Sequence, residues 1–275
     1  MRRTTSSVLD GAAVWYLVFL VLLVGSGWLL AGRPPKREAG IWGLGEVLGA
    51  ITAVSLLTIA IAQGLALGRS DSLPDLTAAV LLQSGLTVGI VLYVVAIRYR
   101  LPLPSVGLVG RDPLRLAAVG IALGLVTIPI SAVAETISLE IAGMVMGPAQ
   151  AERLNELEHA AVPVERILQG PVSAGDIALI VILICGVVPL TEELFFRGFA
   201  FGAMRARWRR TTAILASAAF FAAVHLQLIH FLPILALGVV LAYAYDRTGS
   251  LVAPVMVHAV NNLVAILSTL YGWNL

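Results

Sequence analysis

Charge is scarce in this chain. Only 12% of its 275 residues are Asp, Glu, Lys or Arg, where a soluble domain carries roughly 25%. So few ionic groups cannot clothe a water-facing surface, which excludes an ordinary soluble globule. Lysine is reduced to Lys36 alone. The arginines fall in short loops between apolar runs and form no continuous basic face, so no nucleic-acid partner is expected. A single cysteine, Cys185, excludes an internal disulfide. Lying inside an apolar run, it reads as a small buried hydrophobe. The chain also lacks a clear internal repeat and any soluble domain of size.

What fills the chain is hydrophobic sequence, 59% of all residues. Apolar runs long enough to cross a bilayer, which takes about 20 residues, recur along its length and end at Arg, Pro, Gly or Asp. They predict an all-α, polytopic membrane protein with about eight transmembrane helices, over 12–31, 41–67, 76–97, 114–146, 176–204, 211–228, 231–246 and 250–271. The fourth and fifth exceed a single crossing and should tilt, kink or emerge, with Pro129 and Pro189 as kink points. The apolar stretch after Met1-Arg2-Arg3 is long enough to span and lacks a small-residue cleavage site, so it reads as the first membrane helix.

Loop charge sets the orientation. Basic residues gather at Arg33–Arg37, at Arg98, Arg100, Arg111 and Arg115, and from Arg205 to Arg210, whereas 147–175 leans acidic. The expectation is a multi-pass cell-membrane protein with basic loops in the cytoplasm and 147–175 outside. That segment reads as a solvated connector with a short amphipathic helix over Ala151–Ala161, and His159 as merely exposed.

Against this background one cluster stands out, Thr191-Glu192-Glu193-Leu194-Phe195-Phe196-Arg197. An ion at membrane depth costs several kcal/mol (about 3 or more), and is normally paired, solvated in a cavity, or used. On a helix Glu193 and Arg197 meet at i, i+4 with the acid first, the favourable order for an ion pair. Glu192 points about 100° away and has no local counter-charge. A carboxylate in that position is suited to act as a general base near neutral pH.

Two later runs carry the remaining polar groups. Phe221 and His225 share a helix face at i, i+4, so the ring can pack on the imidazole and orient it. His258 and Asn262 share another face. Both can donate hydrogen bonds to an oxygen that gains negative charge, the requirement of an oxyanion hole. A water between Glu192 and His225 could attack a peptide carbonyl, with His258 and Asn262 stabilising the tetrahedral oxyanion. The same Glu192, His225 and His258 could instead hold zinc, because two His and one Glu with an open position is a hydrolytic zinc arrangement. Spacing does not choose between these.

The series E-E-x-x-x-R at Glu192, Glu193 and Arg197, F-x-x-x-H at Phe221 and His225, and H-x-x-x-N at His258 and Asn262 resembles the CAAX protease and bacteriocin-processing (abortive-infection) family of intramembrane endopeptidases. The resemblance covers about 176–271. It implies an eight-helix fold with an intramembrane catalytic cavity open toward the cytoplasm. It also implies Glu192 and His225 as the water-activating pair, His258 and Asn262 as the oxyanion hole, and Glu193, Arg197 and Phe221 in support. The family has been described both as metal-dependent and as metal-independent glutamate proteases. A reaction with no required cofactor is the favoured expectation, and a divalent metal such as zinc the alternative. The substrate implied is a membrane-associated, lipidated or amphipathic peptide presented at the bilayer.

The whole chain, 1–275, is expected to be one membrane domain, with 176–271 as catalytic core and the specific role of 1–175 open. Other intramembrane chemistries fit poorly. Neither His225 nor His258 is followed by Glu, as H-E-x-x-H requires. Ser84 and Ser250 lack a G-x-S-G context, and Tyr245-Asp246 follows Gly175-Asp176 in the wrong order for an aspartyl site. A transporter or non-catalytic scaffold is the rival, with Glu46, Glu135 and Glu140 as path residues. Its polar groups should spread through both halves, whereas here the His and Asn residues of the motifs concentrate in the last spans.

Overall fold

The structure, a computed structural model, describes residues 41–65, 71–109 and 112–272. The expected span at 12–31 and the Arg33–Arg37 loop lie outside the described residues. Helices occupy every other expected span: α1 Leu44–Gly64, α2 Leu73–Arg98, α3 Pro113–Met146, α6 Ala174–Arg205, α7 Arg210–Val224, α8 Phe231–Thr248 and α9 Val252–Tyr271. Two shorter helices, α4 Pro148–Ala161 and α5 Pro163–Leu168, fill the connection between α3 and α6. Among the described residues no strand occurs, and six helices are long and apolar enough to cross a membrane. At 1.5 Å per residue α7 is only about 22 Å long, short of the roughly 30 Å hydrocarbon core.

The chain is a multi-pass membrane protein, and its surface fits that solvent. On α3 the side chains of Leu125, Val126, Ile130, Val133, Ile137 and Ile141 are all exposed, a continuous apolar face suited to lipid. Burial is concentrated instead on α6, where all eight residues from Leu194 to Phe201 are buried. This stretch packs against α1, α2, α7 and α8, while the preceding turn meets α2 and α9. The cluster that carries the charges is thus the centre of the bundle.

Helix α6 is not uniform. Two π-helical stretches, Ile182–Val187 and Leu194–Phe201, bracket the turn bearing Glu192 and Glu193. Such wide turns are rare and frequent at functional sites. Pro189 accounts for part of the first. In the wide register the Val188 N–H reaches back to the Leu183 carbonyl, so the next donor in line for Ile184 would be Pro189, which has none. The Ile184 carbonyl is bonded instead by the Asn262 amide of α9 at 2.8 Å. Irregular backbone at membrane depth persists where a neighbouring helix satisfies it in this way.

Close helix contacts are made at glycine. A Cβ on Gly120 of α3 would lie 2.4 Å from the Ala253 carbonyl oxygen, and one on Gly124 would lie 2.8 Å from the Val260 Cβ. This G-x-x-x-G face lets α3 and α9 approach backbone to backbone. Gly120→Val is therefore expected to destabilise the bundle by about 1–3 kcal/mol through overpacking, read as a lowered unfolding midpoint in detergent. An unchanged midpoint would show that the helices can separate there without cost.

The connector corrects an expectation. The helix expected over Ala151–Ala161 is present and begins three residues earlier, at Pro148, but the connector is not simply solvated. Glu158 is buried and accepts hydrogen bonds from the backbone N–H groups of Leu228, Ile229 and His230, at 2.6 to 3.2 Å. The turn between α7 and α8 offers these unpaired donors, and a carboxylate satisfies several at once. Leu226, with φ +56°, reverses the chain so that the amides face Glu158. A left-handed leucine costs roughly 1–2 kcal/mol, so the carboxylate helps to hold this turn in place.

Candidate active site

Glu193 and Arg197 are both fully buried and form the expected pair, Nη1 to Oε1 at 2.9 Å. A second Arg197 nitrogen donates to the Gly238 carbonyl of α8 at 3.3 Å. Its guanidinium carbon lies 4.3 Å from the centre of the Phe221 ring, a cation–π contact made without competing water. The pairing includes a third member that helical spacing could not reveal. His258 of α9 places Nδ1 2.9 Å from the same Glu193 oxygen. An ionised carboxylate only accepts, so the imidazole donates there. Arg197, Glu193 and His258 form one buried chain of charge-assisted hydrogen bonds across α6 and α9.

Glu192 stands apart, as its helical phase predicts. Its side chain is 28% exposed, and its nearest ionisable neighbour across the bundle is His258 Nε2, 4.0 Å from Oε2. That is too long for a hydrogen bond. It is a separation that one oxygen atom bonding to both sides, at about 2.8 Å each, could bridge with an angle near 90°. Glu192 Oε2 has no hydrogen-bond partner among the described residues.

His225 closes α7. Its Nδ1 lies 2.7 Å from the Phe221 carbonyl oxygen, and a carbonyl accepts, so Nδ1 carries a proton and Nε2 is left free of that contact. The Phe221 ring packs edge-on to it at 4.7 Å and also meets the His258 ring at 5.7 Å. Phe221 thus touches Arg197, His225 and His258 together, and one ring sets three side chains.

Glu192 and His225 both line a cavity of about 280 Å³. His258 lies behind Glu192 and does not line it, and neither does Asn262, whose amide is bonded to Ile184. The opposite wall was not legible from the motifs. It comes from α1 and α2, through Ile51, Val54, Gln83, Ser84 and Thr87. Gln83 and Thr87, four residues apart within the apolar run 76–97, were the available signal for a polar helix face turned inward. The described part of the N-terminal half therefore supplies half of the cavity.

Zinc at Glu192, His225 and His258 fits this arrangement poorly. The three residues do not gather one donor atom each within 4.8 Å; among the described residues a different set does.

A bundle of membrane helices around a buried Arg–Glu–His chain, with a second carboxylate opening on a cavity, defines a polytopic α-helical membrane protein with an intramembrane polar site. Residues 174–264 match the family model of the type II CAAX prenyl endopeptidase Rce1-like proteins. This bears out the family resemblance over the segment that carries all three motifs. YdiL of Bacillus subtilis (strain 168), described as a candidate membrane peptidase, is 32% identical over 94 residues, and the match spans 34% of this chain and 38% of that relative. No solved structure matches the chain.

Proposed function

We propose that the chain is an intramembrane endopeptidase that hydrolyses a peptide bond with a water activated by Glu192 and His225. Glu192 takes a proton from the water as its oxygen bonds to the carbonyl carbon. The carbonyl electron pair moves onto oxygen, where His258, through the Nε2 that lies 4.0 Å from Glu192, donates a hydrogen bond to the developing charge. The Asn262 amide, bonded to the Ile184 carbonyl and outside the cavity lining, takes a structural part in place of the expected oxyanion role. Collapse of the intermediate breaks the C–N bond, and the proton held by Glu192 passes to the leaving amine. The Arg197–Glu193–His258 chain keeps His258 oriented, and Phe221 holds both imidazoles. The observation that carries this reading is the Glu192 carboxylate: it opens onto a cavity shared with His225, and its Oε2 makes no bond that the fold requires. The Rce1-like match supports the same reaction class.

The cavity lies near the lower end of the range for small-molecule pockets, about 300–1,000 Å³. A short extended peptide segment fits such a space better than a folded chain, so the substrate class is a membrane-tethered, lipidated or amphipathic peptide. By loop charge, the basic ends at Arg98–Arg115 and Arg205–Arg210 face the cytoplasm. The test is cleavage of prenylated and unprenylated fluorogenic peptides by the purified protein in nanodiscs. His225→Ala is expected to lower turnover by about 10²–10⁴-fold. Full cleavage by His225→Ala would remove the water-activating pair, and no cleavage by wild type across both peptide classes would favour a transporter or scaffold.

A further inference from the structure

A second polar cluster lies away from the catalytic cavity. Glu135 of α3, His159 of α4 and His230 at the start of α8 each place one donor atom within 4.8 Å of the others. These residues come from three separate elements. His159 is exposed and lies on α4, in the connection between α3 and α6, so an ion from water can reach the cluster. The two rings meet edge to face, with centroids 4.8 Å apart.

Both histidines are also held from behind by a carboxylate. His230 Nδ1 lies 2.8 Å from Glu158 Oε2, and His159 Nδ1 lies 3.1 Å from Glu165 Oε2. Because a carboxylate only accepts, each Nδ1 carries the proton and each neutral ring keeps its lone pair on Nε2. Carboxylate–histidine pairs of this kind orient metal-binding imidazoles and raise their basicity. Two of them flanking a third carboxylate exceed what packing requires. We propose that Glu135, His159 and His230 bind a divalent transition-metal ion of the zinc class, with Glu158 and Glu165 as the orienting carboxylates. Tetrahedral zinc with bonds of about 2.0–2.2 Å sets its donors about 3.3 Å apart. The cluster therefore closes by at most about 1.5 Å, a side-chain adjustment. A fourth position is left for water.

The ion would fasten α3 and α4 to the turn between α7 and α8. That turn begins at His225 and ends at His230, so the proposed site lies five residues from the water-activating histidine. The proposal does not depend on the peptidase reading.

The test uses the full chain in detergent, stripped with a chelator and reloaded with Zn²⁺ or Co²⁺. Zinc is counted per chain, affinity is measured by competition with a chromophoric chelator, and coordination is followed in the Co²⁺ visible spectrum. Wild type and Glu192→Gln are expected to take up one ion per chain. Glu165→Gln should weaken uptake by about 10–100-fold, and His159→Ala or Glu135→Gln should weaken it further and bleach the Co²⁺ spectrum. His159 is exposed, so its removal leaves the bundle folded. The proposal is overturned if wild type takes up no stoichiometric zinc at micromolar concentration. Uptake that survives His159→Ala but is lost in Glu192→Gln or His258→Ala overturns it equally and moves the ion to the catalytic cavity.

Discussion

Glu192→Gln is expected to reduce peptide hydrolysis by about 10²–10⁴-fold and to change folding stability by no more than about 0.5 kcal/mol. The two halves of that result belong together. Glutamine keeps the shape of the side chain but cannot take a proton from water. It also costs the fold little, because Glu192 Oε2 makes no hydrogen bond and the side chain opens on a cavity. A carboxylate retained for structure would show the opposite pattern. Turnover measured beside the unfolding midpoint of the same preparation separates them. Wild-type turnover in the variant removes Glu192 as the base, and a large drop in midpoint with turnover lost in proportion makes it a structural residue.

Arg197→Ala should lower stability by about 3–5 kcal/mol, the cost of leaving one partner of a buried ion pair uncompensated. Native stabilities run to only about 5–15 kcal/mol, so at the low end of that range up to about half of the folded population would be lost. The guanidinium is fully buried, and removing it strips three partners at once: the Glu193 carboxylate, the Gly238 carbonyl and the face of Phe221. Arg197→Lys should recover only part of the loss, because an ammonium lacks the planar fork that reaches two acceptors from one position. Removing both charges, with Glu193→Leu and Arg197→Met, is expected to restore much of the stability, since apolar replacements of a buried pair are often neutral or better. Activity should not return with it, because His258 loses its acceptor. A double variant with wild-type turnover would show that the Arg197–Glu193–His258 chain has no part in positioning the site. Chemical unfolding in mixed micelles, scored with turnover, reads both outcomes.

Much of the fold was legible because lipid imposes a one-dimensional rule. A helix that must cross a bilayer shows itself as a run of apolar residues, and all the expected spans that fall within the described residues are helical. Helical phase also separated Glu192 from the Glu193–Arg197 pair, and it placed Phe221 against His225. These are consequences of a 3.6-residue repeat within one helix. Loop chemistry was read less well. Glu158 resembled any other acid in a solvated connector, because its partners are backbone amides some seventy residues away that carry no side-chain signature.

By itself, then, the sequence determined the solvent, the helices and the local pairings, because each depends on composition or on spacing within about one turn. Only the tertiary structure decided which elements meet: that His258 completes the Glu193–Arg197 pair, that α1 and α2 wall the cavity behind Gln83 and Thr87, that Asn262 answers the Ile184 carbonyl stranded by Pro189, and that Glu135, His159 and His230 converge. Each of these joins residues on different helices. Their approach is set by small-residue contacts such as Gly120 against Ala253 and by buried hydrogen bonds, neither of which has a period that can be read along the chain.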